Sequence, residues 1–195
     1  MKKRICIVMF YTAVIFLSGC IQPSLKPLFN EDEMFVDPNL FGVWKAVDSN
    51  ETWEFKNAEE AGIYELVITD KKGKQGAFAA ALGELEGELF LNIFPGQFNE
   101  EKNDYYNELV VGMHTCIWVK QIEPCLQMAI MDTGRVEEII EKDANAVAHI
   151  EIGDDRIALA ADTNDLQDFV IEYGIEADDV NSIFENLSEF TKVQN

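Results

Sequence analysis

Between Leu40 and Met131 apolar and polar positions alternate in short runs broken by turn residues, the pattern of half-buried β-strands. "FGVWKAV", "ETWEFK" and "IYELVIT" come first, rich in aromatic and β-branched side chains and separated by "DSN" and "NAEEAG". "DKKGK" turns the chain into "GAFAAALGEL". There Ala77, Ala79, Ala81 and Gly83 form one face, and Phe78, Leu82 and Leu85 mark the other. Small residues along a strand face invite close packing or sharp curvature. "EGE" leads into "LFLNIFPG", and the polar stretch from Gln97 to Asn107 reads as a loop. "ELVVGMHTCIWVKQIEPCLQMAIMD" predicts a long hairpin, with Leu109, Val111, Met113, Thr115, Ile117 and Val119 on one core-facing side at period 2.

Beyond Met131 the period changes. Val136, Ile139 and Ile140 mark a short helix, and "AVAHIEIGDDRIALAA" is a further hairpin turning at Gly153, Asp154 and Asp155. Leu166, Phe169, Val170 and Tyr173 fall at i, i+3, i+4 and i+7, with Asp162 or Thr163 as N-cap and Gly174 as the stop. Val180, Ile183, Phe184 and Leu187 repeat that stripe and predict a last helix. The expectation is a mainly β chain: an antiparallel barrel of about eight or nine strands with one or two C-terminal helices. Closing a meander of hairpins buries its apolar face and removes its exposed edges.

The N-terminus follows other rules. Lys2, Lys3 and Arg4 precede an apolar run from Ile5 to Leu17. That run falls short of the about 20 residues a membrane-spanning helix needs. With Ser18 and Gly19 behind it, it has the layout of an export signal. The ending Leu17-Ser18-Gly19-Cys20 resembles the lipobox of bacterial lipoproteins. The resemblance implies cleavage before Cys20, diacylation of its sulfur with palmitate-like chains and acylation of the new amine. Two or more chains anchor a protein stably, at about 0.8 kcal/mol per buried methylene. Three segments are therefore expected: residues 1–19 as a cleaved signal peptide, 20–38 as a lipidated tether, and 39–195 as the barrel domain with its helices. The tether assignment rests on Pro23, Pro27 and Pro38 and on the lack of a period, although Leu28, Phe29, Met34 and Phe35 invite part of it to dock. Its residues would reach about 60 Å if extended.

Charge narrows the partners. The formal net charge is −21, and three units lower once Lys2, Lys3 and Arg4 leave. A surface this acidic repels phosphate backbones, which argues against nucleic acid, and it leaves the anchor to hold the body at a membrane. Besides Cys20 the mature chain has Cys116 and Cys125, in a compartment that permits disulfides. A hairpin with a two-residue turn at Lys120 and Gln121 would set them face to face. A longer turn at "QIEP" would break that register and leave two free thiols.

"DPNLFGVWKAV", with Gly42 and Trp44 on the first strand, resembles the G-x-W opening of lipocalin-type (calycin) barrels. "YELVITDKKGKQGAFAAALGELEGELFLNIFPG", "MHTCIWV" and "ALAADTNDLQDFVIEYG" together resemble a group of small uncharacterised bacterial lipoproteins, over most of residues 38–174. The resemblance implies an exported, lipidated, lipocalin-like barrel with no assigned activity. The chain departs from true lipocalins in lacking a T-D-x-Y element and an arginine just beyond the last strand, Arg156 lying at a strand's start.

Catalytic signatures are missing. His114 and Cys116 share a strand face, a spacing open to a thiolate and its base, but no orienting partner is readable beside them. With Cys125 they make at most a three-ligand metal set, without a C-x-x-C, H-x-x-x-H or H-E-x-x-H motif. His149 reads as a solvated strand position. The expectation is a non-enzymatic bacterial envelope lipoprotein with no cofactor or metal, held to the membrane through Cys20. It would bind a small apolar ligand or an envelope partner; alternatively, its barrel is solid and serves as a scaffold that docks protein. Ile21 after Cys20, where Asp would favour retention in an inner membrane, points to the outer membrane in a cell that has two.

Overall fold

The computed structural model describes residues 21–95, 112–152, 156–178 and 180–193. The predicted loop from Gln97 to Asn107, the core positions Leu109 and Val111, the turn at Gly153 to Asp155 and the lipobox Cys20 lie outside them.

The alternating runs fold as expected into antiparallel strands: β1 (Gly42–Ala46), β2 (Thr52–Asn57), β3 (Tyr64–Thr69), β4 (Gln75–Leu85), β5 (Glu88–Pro95), β6 (Thr115–Gln121) and β7 (Leu126–Met131). Helix α1 (Thr133–Lys142) follows, capped by the Asp132 carboxylate on the Arg135 N–H. A short hairpin of β8 (His149–Glu151) and β9 (Ile157–Leu159) comes next. Helix α2 (Thr163–Val170) is capped by Asp162 and runs on as a π-helical turn, Ile171–Ile175, so Gly174 sits inside the helix and not beyond it. Strand β10 (Phe184–Lys192) ends the fold.

Eight strands close in the order β1-β10-β7-β6-β5-β4-β3-β2, an antiparallel lipocalin-like barrel; β8 and β9 form a separate two-stranded sheet. Inside the barrel pack Leu40, Trp44, Phe55, Tyr64, Leu66, Leu82, Leu91, Leu126, Phe190 and their neighbours. A second core lies outside the barrel wall, where Phe90, Trp118, Met131 and Phe184 meet Val136 of α1 and Leu166, Phe169 and Val170 of α2. Both faces of β4 to β7 are therefore buried. The open wall carries Lys45, Lys56 and other polar side chains, the reverse of a membrane-spanning barrel. Among the described residues no helix is long and apolar enough to cross a membrane.

Residues 180–187 correct the reading of a last helix. They lead into β10, which pairs with β7 on one side and β1 on the other. A bulge between Glu185 and Ser188, with Asn186 in the left-handed region at φ 58°, shifts the register. Phe184 consequently faces the outer core while Phe190, six residues on, faces the barrel interior. A bulge breaks the period of two, and the surviving spacing imitates a helical stripe.

Part of the segment expected as a tether is docked, as Leu28 and Phe29 invite. Residues 21–41 form a strap laid against the barrel wall, with Leu28 and Phe29 fully buried. Two such side chains contribute roughly 1.5–3 kcal/mol each. Ser24 exchanges both backbone hydrogen bonds with His114, and the Leu25 and Leu159 amides bond to Leu159 and Pro23 carbonyls. The strap thus stitches the β8–β9 sheet to the barrel. Farther on, Phe35 pairs with Leu82 on the edge of β4 that β3 leaves free. The short 3-10 turn Pro38–Leu40 closes the barrel's end: Asp37 caps it, Leu40 is buried, and its carbonyl accepts from Trp44 Nε1 at 2.7 Å.

The small-residue face of β4 has its predicted use. Phe29 lies so close over Gly83 that a Cβ there would overlap its ring. Leu85 belongs to that face and not to the Phe78 and Leu82 side, since it joins the outer core. A Gly83→Val protein is expected to lose about 1–3 kcal/mol, the cost of overpacking. Urea unfolding monitored by tryptophan fluorescence measures it, and an unchanged midpoint would contradict the packing described.

Candidate polar seam beneath the N-terminal strap

One fully buried polar side chain marks the seam between barrel and strap. Asn92 stands in the middle of the apolar run "LFLNIFPG" on β5 and is 0% exposed. Its Oδ1 accepts the Leu28 N–H at 3.2 Å, which turns its amide nitrogen toward His114 Nδ1, 3.3 Å away. His114 therefore accepts on Nδ1 and is the neutral tautomer with its proton on Nε2. Burial holds its pKa below the usual histidine value, and the nearby Lys26 charge adds to this. Thr115 Oγ1 donates to the Gln22 carbonyl at 3.0 Å. Gln22 Nε2 donates to the Pro23 and Ile157 carbonyls, while its Oε1 has no protein partner. A cavity of about 10 Å³ lies here among Gln22, Asn92, His114, Cys116 and Leu159. That is room for about one water, far below the few hundred Å³ of a small-molecule site.

His114 and Cys116 do border the same cavity. Burial pushes the Cys116 thiol up to about 12, so it stays protonated at neutral pH, and the His114 ring is engaged by Asn92. Cys125 lies elsewhere. The hairpin turns through Glu123 and Pro124, and Gln121 pairs with Gln127 while Ile117 pairs with Ile130. A two-residue turn would have set Pro124, which lacks an N–H, inside the ladder opposite Ile117. The longer turn is the alternative weighed for "QIEP", and it leaves no face-to-face pairing. Cys116 and Cys125 are both free thiols, the second half-buried with its Sγ 3.4 Å from Glu189 Oε1. Desolvation, and then that carboxylate, raise its pKa. The three side chains weighed as a metal set accordingly do not converge, and the described residues hold no cluster of three or more His, Cys, Asp or Glu placed to bind a metal. His149 is half-buried, its Nδ1 3.0 Å from the Val147 carbonyl.

Two further contacts escaped the sequence. Lys192, at the end of β10, places Nζ 5.0 Å over the Trp44 ring and donates to the Asn39 carbonyl at 2.8 Å. A lysine of the last barrel strand thus covers the Trp44 ring, while Arg156 lies outside the barrel strands. Arg135 of α1 pairs with Glu185 of β10, tying the outer helix to the closing strand. Asn92 alone had a visible signal, a lone amide within an apolar strand.

Comparison with family models, with curated proteins and with solved structures finds no match to this chain.

Replacing Asn92 with Leu leaves the Leu28 N–H unpaired in the core, a cost of about 1–3 kcal/mol. Hydrogen exchange should quicken across residues 22–29 while the barrel strands stay protected; uniform protection would contradict the seam. His114 gives a pH signature. Its folded pKa lies below its unfolded value, so the unfolded chain binds the extra proton and stability falls as pH drops below about 6.5 toward the depressed folded value. A His114→Asn protein should show a flatter decline than the parent over that window in urea titrations. For the thiols, a disulfide reagent at neutral pH should modify Cys125 in the folded protein and reach Cys116 only after unfolding. Absence of both thiols before reduction would mean that they are bonded.

Proposed function

We propose that this chain is a non-enzymatic envelope lipoprotein, exported by residues 1–19, lipidated on Cys20 and anchored to a bacterial membrane. In a cell with two membranes that is the outer one. Its barrel is a solid scaffold that docks an envelope protein through its acidic surface. The anchor reading is supported by the LSGC ending after a short apolar run. The scaffold reading rests on the barrel interior. Walls of a void that admits water keep accessible surface, whereas Leu40, Trp44, Tyr64, Leu66, Leu82, Leu91 and Leu126 keep none. Such packing favours a docked protein over an enclosed apolar ligand.

Cells fed an alkyne fatty acid should label the parent protein, and a Cys20→Ser protein should lose the label and leave the membrane fraction. Unchanged labelling and fractionation would end the lipoprotein reading. Native mass spectrometry of the purified protein should show no apolar small molecule beyond the anchor's own lipid. A stoichiometric one would replace the scaffold reading with ligand binding.

A further inference from the structure

We infer that the body of this protein is held directly on the lipid surface in one orientation, with the Ile21–Asp132 corner against the bilayer, instead of swinging on a leash. The inference rests on the lipidation of Cys20 proposed above. It follows from how soon after Cys20 the chain is bonded to the barrel and its helices. A lipid on Cys20 is one peptide bond from Ile21, and Ile21 already bridges to Asp132, the cap of α1. Gln22 and Ser24 are buried, and Ser24 is bonded in both directions to His114. Freeing residues 21–38 as a spacer would expose Leu28 and Phe29 and break the Asn92 seam.

The elements gathered at this corner carry apolar side chains outward. Ile21 is 54% exposed, and Val180, 72% exposed, lies three residues before Ile183, whose carbonyl accepts from Asp132. Ile150, 42% exposed, stands on β8, in the hairpin whose Ile157 carbonyl accepts from the Gln22 side chain. A bilayer is the occupant that fits, because the acyl chains on Cys20 bring its surface to within one residue of these side chains. The opposite end of β7, at Cys125, is about 20 Å farther along the strand and points the rest of the barrel away from the lipid.

Depth can be read with the full lipoprotein in phosphatidylcholine vesicles containing a lipid with a nitroxide headgroup. A fluorophore is placed on Gly134→Cys in a Cys125→Ser background, or on native Cys125. Quenching is expected to be several-fold stronger at 134 than at 125. Inserting ten Gly and Ser residues between Cys20 and Ile21 should bring the two to one level. Equal quenching without the insertion, in protein whose Cys20 peptide carries the lipid mass, overturns the fixed orientation and leaves the lipoprotein reading standing. A Cys20 peptide without lipid overturns the lipoprotein reading itself, and this orientation with it.

Discussion

Closure of the ladder by β10 is the constraint on which the fold depends. Strand β1 has β2 on one side and β7 has β6, so without residues 184–192 each would present a row of unpaired backbone groups. The closing strand also serves two cores at once. Phe190 meets Trp53 in the barrel with ring centroids 5.8 Å apart, and Phe184 meets Phe90 and Trp118 in the outer core at 5.5 Å. Strict alternation would turn both phenylalanines to one side. Asn186 in its left-handed conformation supplies the one-residue shift that separates them, and a small amide side chain tolerates that backbone better than a branched one.

The strap is the second organising element, since it makes backbone bonds to β9, to His114 and to β4 within fifteen residues. Its polar seam is a fully engaged one at Asn92: both ends of the amide have partners, and the ring it meets is kept neutral by burial. A buried amide so placed fixes register, because a shift of the strap by one residue would present a carbonyl where the Leu28 N–H is required. The apolar neighbours Leu28 and Phe29 supply the affinity and Asn92 supplies the alignment.

The barrel was legible from Leu40 to Met131 because period-2 runs and turn residues there agree with the tertiary structure, and α1 and the start of α2 were legible from their stripes and Asp caps. The rest was hidden for physical reasons. The bulge at Asn186 erased the strand period of β10 and left a spacing of three and four that reads as helix. Residues 21–38 have no period because their backbone bonds go in turn to β7, to His114, to β9 and to β4 instead of running along one strand, and their prolines suggested a leash. Lys192 over Trp44 was hidden because the spacing across residues 180–187 reads as helix, which conceals the strand that carries this lysine to the barrel's end. The seam was half visible: His114 stood out as a titratable residue near Cys116, but its partner Asn92 lies 22 positions upstream, and only the pairing of β5 with β6 brings them together.

The place of β10 in the barrel has a consequence for the order of events in synthesis. The strand between β1 and β7 is the last of the described strands, so the β1–β10 contacts that close the barrel join residues more than 140 positions apart. Contacts of such long range form late and slowly. A chain that emerges N-terminus first therefore passes through a period in which β1 to β7 exist with two open edges. If residues 1–19 are the export leader proposed above and are removed during that period, the polypeptide is already tied to a membrane when its own far end arrives to finish the fold. Membrane attachment would then precede ring closure, and the acidic excess that keeps neighbouring chains apart would guard those edges while they wait.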